Sequence, residues 1–463
     1  MNYCFNSRPA FDVYTPKIFL DIKKRYDKDA QGVFITTNKR ETELVRKTYP
    51  EAITCETSAY IREHWNEFSF EKFCVYEKKY DCAPLWNYIY TDRFLVNRDY
   101  DYVVKITCGL FSFFEYVFTK YHIDIYYSEC IATLQCYVAY LVGKKIGAKY
   151  YGQTSARGKS GTHMHVIDNP YENLVGFDTN YKNIQYAQEE IKEAKDFLED
   201  FRKHDVAPAY MAVTGKKPKF RLKYLLLPLY RVVKSFDKNL TDPYSYMYYE
   251  GYKTVTDQLK FYLRYQRCKR YYHKADYSKK FVYFPLHYEP EASTLVCALK
   301  YEKQIMYIDS WAKSLPADTM LYVKEHYAVL GHREMTLYKE LKKYPNVVMI
   351  DPWESSRKLI ENAVAVTTLT GTAGWEAMLL QKPVFLGGNV YFDNAPGIIK
   401  IDDIYGNYLL LMSTWKKPDD EDIIKYLCAC FRAYHPGIDW YADSDENISL
   451  VVDGLMGAIN GKK

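Results

Sequence analysis

Residues 347–387 read VVMIDPWESSRKLIENAVAVTTLTGTAGWEAMLLQKPVFLG. Three β-rich runs, Val347–Asp351, Ala363–Leu369 and Pro383–Gly387, alternate with two helix-length segments, Ser355–Asn362 and Gly374–Leu380. Ser355 stands where an N-cap would accept from the first turn. Strands joined through a helix must run parallel, because a hairpin is too short to hold one. Upstream, Phe281–Pro285 and Met320–Lys324 add two further strands, with a helix expected from His332 to Lys343. The block is therefore β-α-β-α-β-α-β, a Rossmann-like pattern in which ligands sit beyond the carboxyl ends of the strands.

A second α/β block precedes it. Strands are expected at Gly32–Thr37, Ala52–Thr57, Ile123–Tyr127 and Ala148–Gly152. Helical patterns fall around Glu41–Thr48, Tyr60–Tyr80, Asp101–Tyr121 and Cys130–Lys145, and Gln153–Thr162 reads as a polar loop. The chain is thus α/β in four parts: an N-terminal Rossmann-like domain (1–205), a connector (206–280), a C-terminal Rossmann-like domain (281–418) and C-terminal helices (419–463) expected to pack across the domain junction.

Composition narrows the class. The 463 residues are 48% hydrophobic and 26% charged, too apolar for disorder, and 49 tyrosines exclude collagen-like and coiled-coil chains. The eleven cysteines show no CxxC spacing and the ten histidines no HExxH, so free thiols in a reducing cytosol and no metal are expected. Met1–Tyr14 has no apolar signal core. The most lipid-like stretches, Tyr224–Tyr230 and Cys130–Gly143, fall short of the roughly 20 residues of a membrane span. Net charge is only +5, yet Lys216–Lys280 carries 17 Lys/Arg against 5 Asp/Glu, interleaved with tyrosine. Such a segment suits either an anionic membrane surface or a solvated linker; no nucleic-acid-binding pattern accompanies it.

The residues after the strands carry the candidate chemistry. They are His287 and Glu291, then Lys324 and His326, then Pro352 and Trp353, then Thr370, Gly371, Thr372 and Glu376. Thr370-Gly371-Thr372 opens a helix, where unpaired N–H groups and the macrodipole favour a phosphate. Lys324 and His326 add a cation and a directed donor, Glu376 an acceptor for ribose hydroxyls, and Pro352-Trp353 a shelf for a base. Each has a bland alternative: turn and N-cap, surface histidine, solvated carboxylate. Neither GxGxxG nor GxxxxGK[ST] is present, which excludes the dinucleotide fingerprint and the P-loop.

The runs Leu286-His287-Tyr288-Glu289-Pro290-Glu291, Val323-Lys324-Glu325-His326 and Thr370-Gly371-Thr372-Ala373-Gly374-Trp375-Glu376, followed by Lys382-Pro383-Val384, resemble the bacterial capsule polysaccharide biosynthesis family. That family contains glycosyltransferases of GT-B fold, including enzymes that transfer Kdo from its CMP-activated form. The resemblance implies GT-B architecture, two Rossmann-like domains facing a cleft, with Lys324 and His326 by the donor phosphate. Thr370, Gly371 and Thr372 would line the same pocket, Glu376 would hold the ribose, and His287 and Glu291 would face the donor sugar or the cleft. The family usually has His-Pro where this chain has His326-Tyr327.

The N-terminal block would then be the acceptor domain. Glu129, directly after a strand, is the expected base, or else a carboxylate placed by a helix dipole. Arg157, with Lys159, His163 and His165 in the following loop, would meet an anionic acceptor, or is simply solvated. The resulting expectation is a cytoplasmic, metal-independent glycosyltransferase without cofactor, peripheral at the inner membrane through Lys216–Lys280. It would move a sugar from a CMP- or UDP-linked donor to a surface polysaccharide or glycolipid acceptor. A nucleotide-sugar epimerase and a non-catalytic capsule-assembly scaffold are the competing readings.

Overall fold

The strands form where β-branched and aromatic residues cluster: β1 (Asn2–Asn6), β2 (Gln31–Thr36), β3 (Ile53–Glu56), β4 (Ile125–Tyr127), β5 (Lys149–Ser155), β6 (His163–Ile167), β7 (Lys280–Pro285), β8 (Thr319–Lys324), β9 (Val347–Ile350), β10 (Ala365–Thr368), β11 (Val384–Leu386), β12 (Ile398–Lys400) and β13 (Tyr434–Pro436). They belong to a computed structural model that describes residues 1–8, 11–96, 98–204, 220, 229, 232–233, 236–237, 242–245, 257–438 and 442–461. Most of the 206–280 connector, and with it most of the basic Lys216–Lys280 segment, lies outside the described residues; helix Asp257–Cys268 belongs to its described end. The chain divides into two compact units. Among described residues the first comprises 1–176 and 433–461, with 229–245, and the second 177–204 and 257–432, with 220.

In the first unit the strand order is β13-β6-β5-β4-β1-β2-β3. β1 to β5 run parallel, and β6 and β13 are antiparallel at one edge. Period-2 alternation sends neighbouring tyrosines to opposite faces. Tyr126 packs on Phe118 and Phe114, at 5.8 and 6.3 Å between ring centroids, whereas Tyr127 packs on Phe5 at 5.7 Å. One face is therefore covered by helix Tyr100–Lys120. Helices Tyr14–Arg25 and Asp445–Ile459 share a core with the other, through Phe19, Val451, Val452 and Leu455.

Three features differ from the sequence reading. The central strand β1 has no counterpart in the sequence reading, because only five residues, with asparagine at each end, carry it. Residues His163 and His165, expected in a loop, lie in β6, with His165 buried and stacked on Tyr434 at 5.9 Å. Among the described residues, helix Tyr100–Lys120 is long and apolar enough to cross a membrane, but 67% of that stretch is buried; Tyr224–Tyr230 lies almost wholly outside the described residues.

The second unit is a parallel sheet of order β12-β11-β10-β7-β8-β9. Renumbered from β7, this is the doubly wound 3-2-1-4-5-6 order, with its switch point between β7 and β10. The crossover from β7 to β8 contains helix Gln304–Ser314, whose Trp311 is fully buried edge-on against Phe385 at 5.2 Å. The helix after β10 begins at Thr372, two residues before the sequence places it, and the one after β8 spans only Met335–Leu341. Ser355 caps helix Ser356–Asn362 as expected, accepting from the Lys358 N–H at 3.1 Å. Helix Gln188–Lys203, inside the sequence-defined 1–205, is part of this second unit, where Arg202 forks onto Asp420 at 2.8 and 2.9 Å. The C-terminal segment is shared: helix Asp420–Ala433 lies with the second unit almost to its end, while β13 and helix Asp445–Ile459 complete the first.

Gly454 marks how closely that last helix approaches the sheet, since a Cβ there would stand 2.2 Å from the His435 ring. The ring cannot swing away cheaply, for its nitrogens meet the Gln153 amide at 3.1 Å and the Pro436 carbonyl at 2.8 Å. Gly454→Ala is expected to cost about 1–3 kcal/mol by overpacking, read as a lowered Tm in thermal unfolding; an unchanged Tm would contradict this packing.

Candidate functional site

At the switch point of the second unit, the loops after β7 and β10 are tied to each other. The Thr370 N–H donates to His287 Nε2 at 3.1 Å, and Thr368 Oγ1 lies 3.2 Å from the same nitrogen. An imidazole nitrogen that accepts from an amide carries no proton, so the ring is neutral with its proton on Nδ1. Thr368 Oγ1 also accepts from the Gly371 N–H at 3.0 Å, and the Thr370 hydroxyl donates to the Ser293 carbonyl at 3.1 Å. Thr370 and His287 are therefore buried struts. His287, expected to face the donor sugar or the cleft, is placed with its Nε2 against the Thr-Gly-Thr turn. A Cβ on Gly371 would come within 3.0 Å of His287 Nε2 and 2.9 Å of Thr368 Oγ1, so the turn closes this tightly only with glycine.

A second tie joins the loop after β7 to the one after β8, through Arg333, a residue no motif singled out. Its Nε donates to Glu325 at 2.9 Å, Nη1 to Glu289 and Nη2 to the His287 carbonyl. Glu325 also accepts from the Tyr338 hydroxyl at 2.6 Å and from the His326 N–H at 2.8 Å. Burial works against the Arg333 charge, but Glu325 and Glu289 outweigh it and hold its pKa above the ordinary value. Glu289 and Glu325 fall within the quoted runs, but spacing alone does not pair them with Arg333.

Lys324 ends β8 buried, with its Nζ 2.7 Å from Ser356 Oγ at the start of helix Ser356–Asn362, after β9. His326 follows, half-buried, its pKa pushed down chiefly by burial, with Arg333 and Lys324 adding to the effect against Glu325. Where the family has proline, Tyr327 starts a 3-10 turn and stacks on His326 at 4.8 Å, so an aromatic contact supports the loop. Pro352 is buried and Trp353 half-buried in the turn after β9, where the Trp353 N–H donates to Asp351 at 2.9 Å. Thr372 opens helix Thr372–Leu379 and Glu376 lies one turn further on, both half-buried. Glu291 is exposed at the N-cap position of the short helix Ala292–Leu295 and accepts from the Ser293 hydroxyl at 2.8 Å. His287, Thr370 and Gly371 are in direct contact; Lys324, His326, Trp353, Thr372 and Glu376 lie at or just beyond carboxyl ends of the same sheet.

The first unit has its own switch point, between β1 and β4. There Glu129, after β4, is ion-paired with Arg8, after β1, and Arg8 lies over the Phe11 ring at 5.0 Å. The Tyr150 hydroxyl donates to the Glu129 carbonyl at 2.5 Å. Gly152 lets this loop lie on β5, since a Cβ there would fall 2.8 and 2.9 Å from the Ser128 and Glu129 carbonyl oxygens. Arg157 is half-buried between β5 and β6, and its carbonyl accepts from the Tyr434 hydroxyl at 3.2 Å. Among the described residues no group of three or more His, Cys, Asp and Glu could hold a metal ion.

Residues 249–404 match the family described as capsule polysaccharide biosynthesis protein, which bears out the resemblance carried by the motifs between His287 and Val384. No curated protein matches the chain. Among solved structures, the chain is similar to Thermosulfurimonas dismutans KpsC, beta Kdo 2,7 transferase, at 14% identity and a TM-score of 0.39, over 76% of this chain and 90% of that one. It is also similar to Methanocaldococcus jannaschii UDP-GlcNAc 2-epimerase in complex with UDP-GlcNAc and UDP, at 12% identity and a TM-score of 0.28, over 92% and 98% of the two chains. At these scores neither activity is carried over to this chain.

Removing one partner of a buried ion pair leaves an uncompensated charge. Arg333→Leu is therefore expected to cost about 3–5 kcal/mol, measured by denaturant unfolding, and a loss below about 1 kcal/mol would show that Glu325 is held otherwise. His326 supplies a second check. Its folded form favours the neutral ring, so its contribution to stability is present above its ordinary value of about 6.5 and is lost as pH falls below it. A phosphate bound beside it would raise its titration midpoint; histidine NMR with and without CMP or UDP should show an upward shift, and an unmoved midpoint would place the phosphate elsewhere.

Proposed function

We propose that the chain is a glycosyltransferase of surface-polysaccharide assembly, which takes a sugar from a nucleotide-linked donor bound at the switch point of the second unit. The observation that carries this reading is the locked Thr370-Gly371-Thr372 turn. His287 and Thr368 hold it so that helix Thr372–Leu379 starts at the carboxyl end of β10. An anion is favoured at such a helix start. Lys324 adds a cation from β8, and the match over residues 249–404 supports the setting in capsule synthesis.

In this reading the donor phosphate lies by Thr372, Lys324 and His326, the ribose by Glu376, and the base by Pro352 and Trp353. Glu291 and His287 are assigned to the donor sugar or the cleft, His287 also positioning the turn. The acceptor oxygen attacks the anomeric carbon and the bond from that carbon to the donor phosphate breaks. The leaving nucleotide keeps the electron pair, and its charge is stabilised by Lys324 and the helix start. The acceptor proton passes to a carboxylate, for which Glu129 of the first unit is the candidate, oriented by Arg8. Arg157 is assigned to an anionic acceptor. No metal is required by this scheme, so activity is expected to survive chelation.

The test is release of free nucleotide from a panel of CMP-, UDP- and GDP-sugars, with and without a capsular oligosaccharide acceptor. A transferase releases nucleotide faster with acceptor. A new sugar nucleotide formed without release would establish an epimerase instead, and no turnover of any kind a scaffold. Lys324→Ala is expected to lower kcat/KM at least a hundredfold, about 2.7 kcal/mol of transition-state stabilisation, with the fold retained by circular dichroism; full activity would remove Lys324 from the site.

A further inference from the structure

The first unit contains a cavity that the transferase reading does not use. It measures about 430 Å³ and is lined by Tyr140, Lys144, Gly147, Ala148, Lys149, Tyr150, Tyr151 and Asp168. That volume is within the roughly 300–1,000 Å³ of small-ligand sites. Its position follows from the topology. Helix Leu134–Ile146 ends in Gly147 at φ +89°, and β5 begins two residues later. β6 is antiparallel to β5, with Ile167 opposite Gly152, so Asp168 returns to the start of β5. The cavity therefore opens at the amino end of the parallel strands, whereas Glu129 follows the carboxyl end of β4.

Its chemistry is mixed in a specific way. Tyr140 and Tyr150 stand edge to face at 5.9 Å and supply ring surface. Lys144 and Lys149 are exposed donors, and Asp168 is an exposed acceptor. The helix that ends there turns its last carbonyls, the negative pole of its dipole, toward the same place. A Cβ on Gly147 would meet nothing within 4 Å, so the space above those carbonyls is open. A phosphate would gain from the lysines but lose against Asp168 and the dipole. A purely apolar ligand would leave Lys144, Lys149 and Asp168 unanswered. A polyol has alternating hydroxyl donors and acceptors, with C–H faces that lie on aromatic rings, and it answers all of them.

We propose that this cavity binds a segment of oligosaccharide, as a glycan-holding site separate from the donor site. The proposal goes beyond the transferase reading, because Tyr140, Lys144, Lys149 and Asp168 have no role there. Tyr140 supplies the stacking face, Asp168 accepts from sugar hydroxyls, and Lys144 and Lys149 donate to ring or carboxylate oxygens.

The full chain is titrated with maltotriose, chitotriose and trigalacturonic acid, followed by saturation-transfer NMR and calorimetry. At least one should bind, with affinity falling tenfold or more in both Tyr140→Ala and Asp168→Ala, while CMP and UDP titrations stay as in the parent protein. Tyr140→Phe keeps the ring and should retain most of the binding; exposed Asp168 gives a variant whose folding is not in question. Absence of binding by all three saccharides, or binding that survives Asp168→Ala and Tyr140→Ala, overturns the proposal. Because nucleotide release is measured separately, loss of this site and failure of the transferase reading give different results.

Discussion

A buried guanidinium cannot shed its proton, so every donor on Arg333 has to find an acceptor, and those acceptors come from two different loops. Glu325 belongs to the loop after β8, while Glu289 and the His287 carbonyl belong to the loop after β7. Gln304 holds that second loop again, accepting from the His287 N–H at 2.8 Å and donating back to its carbonyl at 3.2 Å. With its backbone pinned on both sides, the His287 imidazole can reach across the switch point to the Thr370 amide. The shape of the Thr-Gly-Thr turn is thus set by a charge that touches none of its residues.

The two units solve the same topological problem with different chemistry. Each has adjacent central strands whose crossovers leave in opposite directions, and each bridges the loops beyond those strands through polar contacts. In the second unit the bridge is neutral, an imidazole nitrogen and an amide. In the first it is ionic, Arg8 with Glu129. A neutral strut leaves the surrounding field to the helix start and Lys324, which suits an anionic ligand. A carboxylate already facing a guanidinium is held in one orientation, which suits a group that must meet a hydroxyl from a fixed direction.

Legibility from sequence followed the length of the periodic signal. The βαβ alternation between Phe281 and Gly387 is long and regular, and its strands and cap at Ser355 are where the pattern put them. β1, with five residues, and β13, with three, carry too little period to be read, although one is central to its sheet and the other closes it. At the candidate site, residue types were legible and their partners were not. His287 and Thr370 were marked as chemistry-bearing, yet the structure bonds His287 Nε2 to the Thr370 N–H. Arg333 and Gly152 went unremarked because their roles depend on what lies opposite them in space. Most tyrosines outside the basic segment prove to be packing residues, with Tyr3, Tyr126, Tyr283, Tyr307, Tyr322 and Tyr338 almost fully buried.

The return of residues 433–461 to the first sheet has a consequence for biosynthesis. The first sheet's outer strand, β13, and the helix that shares a core with Phe19 and Phe5 through Val451, Val452 and Leu455 leave the ribosome more than 250 residues after residue 176. Until then that sheet has an unpaired edge at β6 and an uncovered aromatic face, both of which promote association with other chains. The N-terminal unit cannot mature as it emerges; it must wait, incompletely closed, while more than 250 further residues are made. Production of this protein should therefore depend on chaperones that shield nascent chains, and a fragment cut before residue 433 should be far less soluble than the whole.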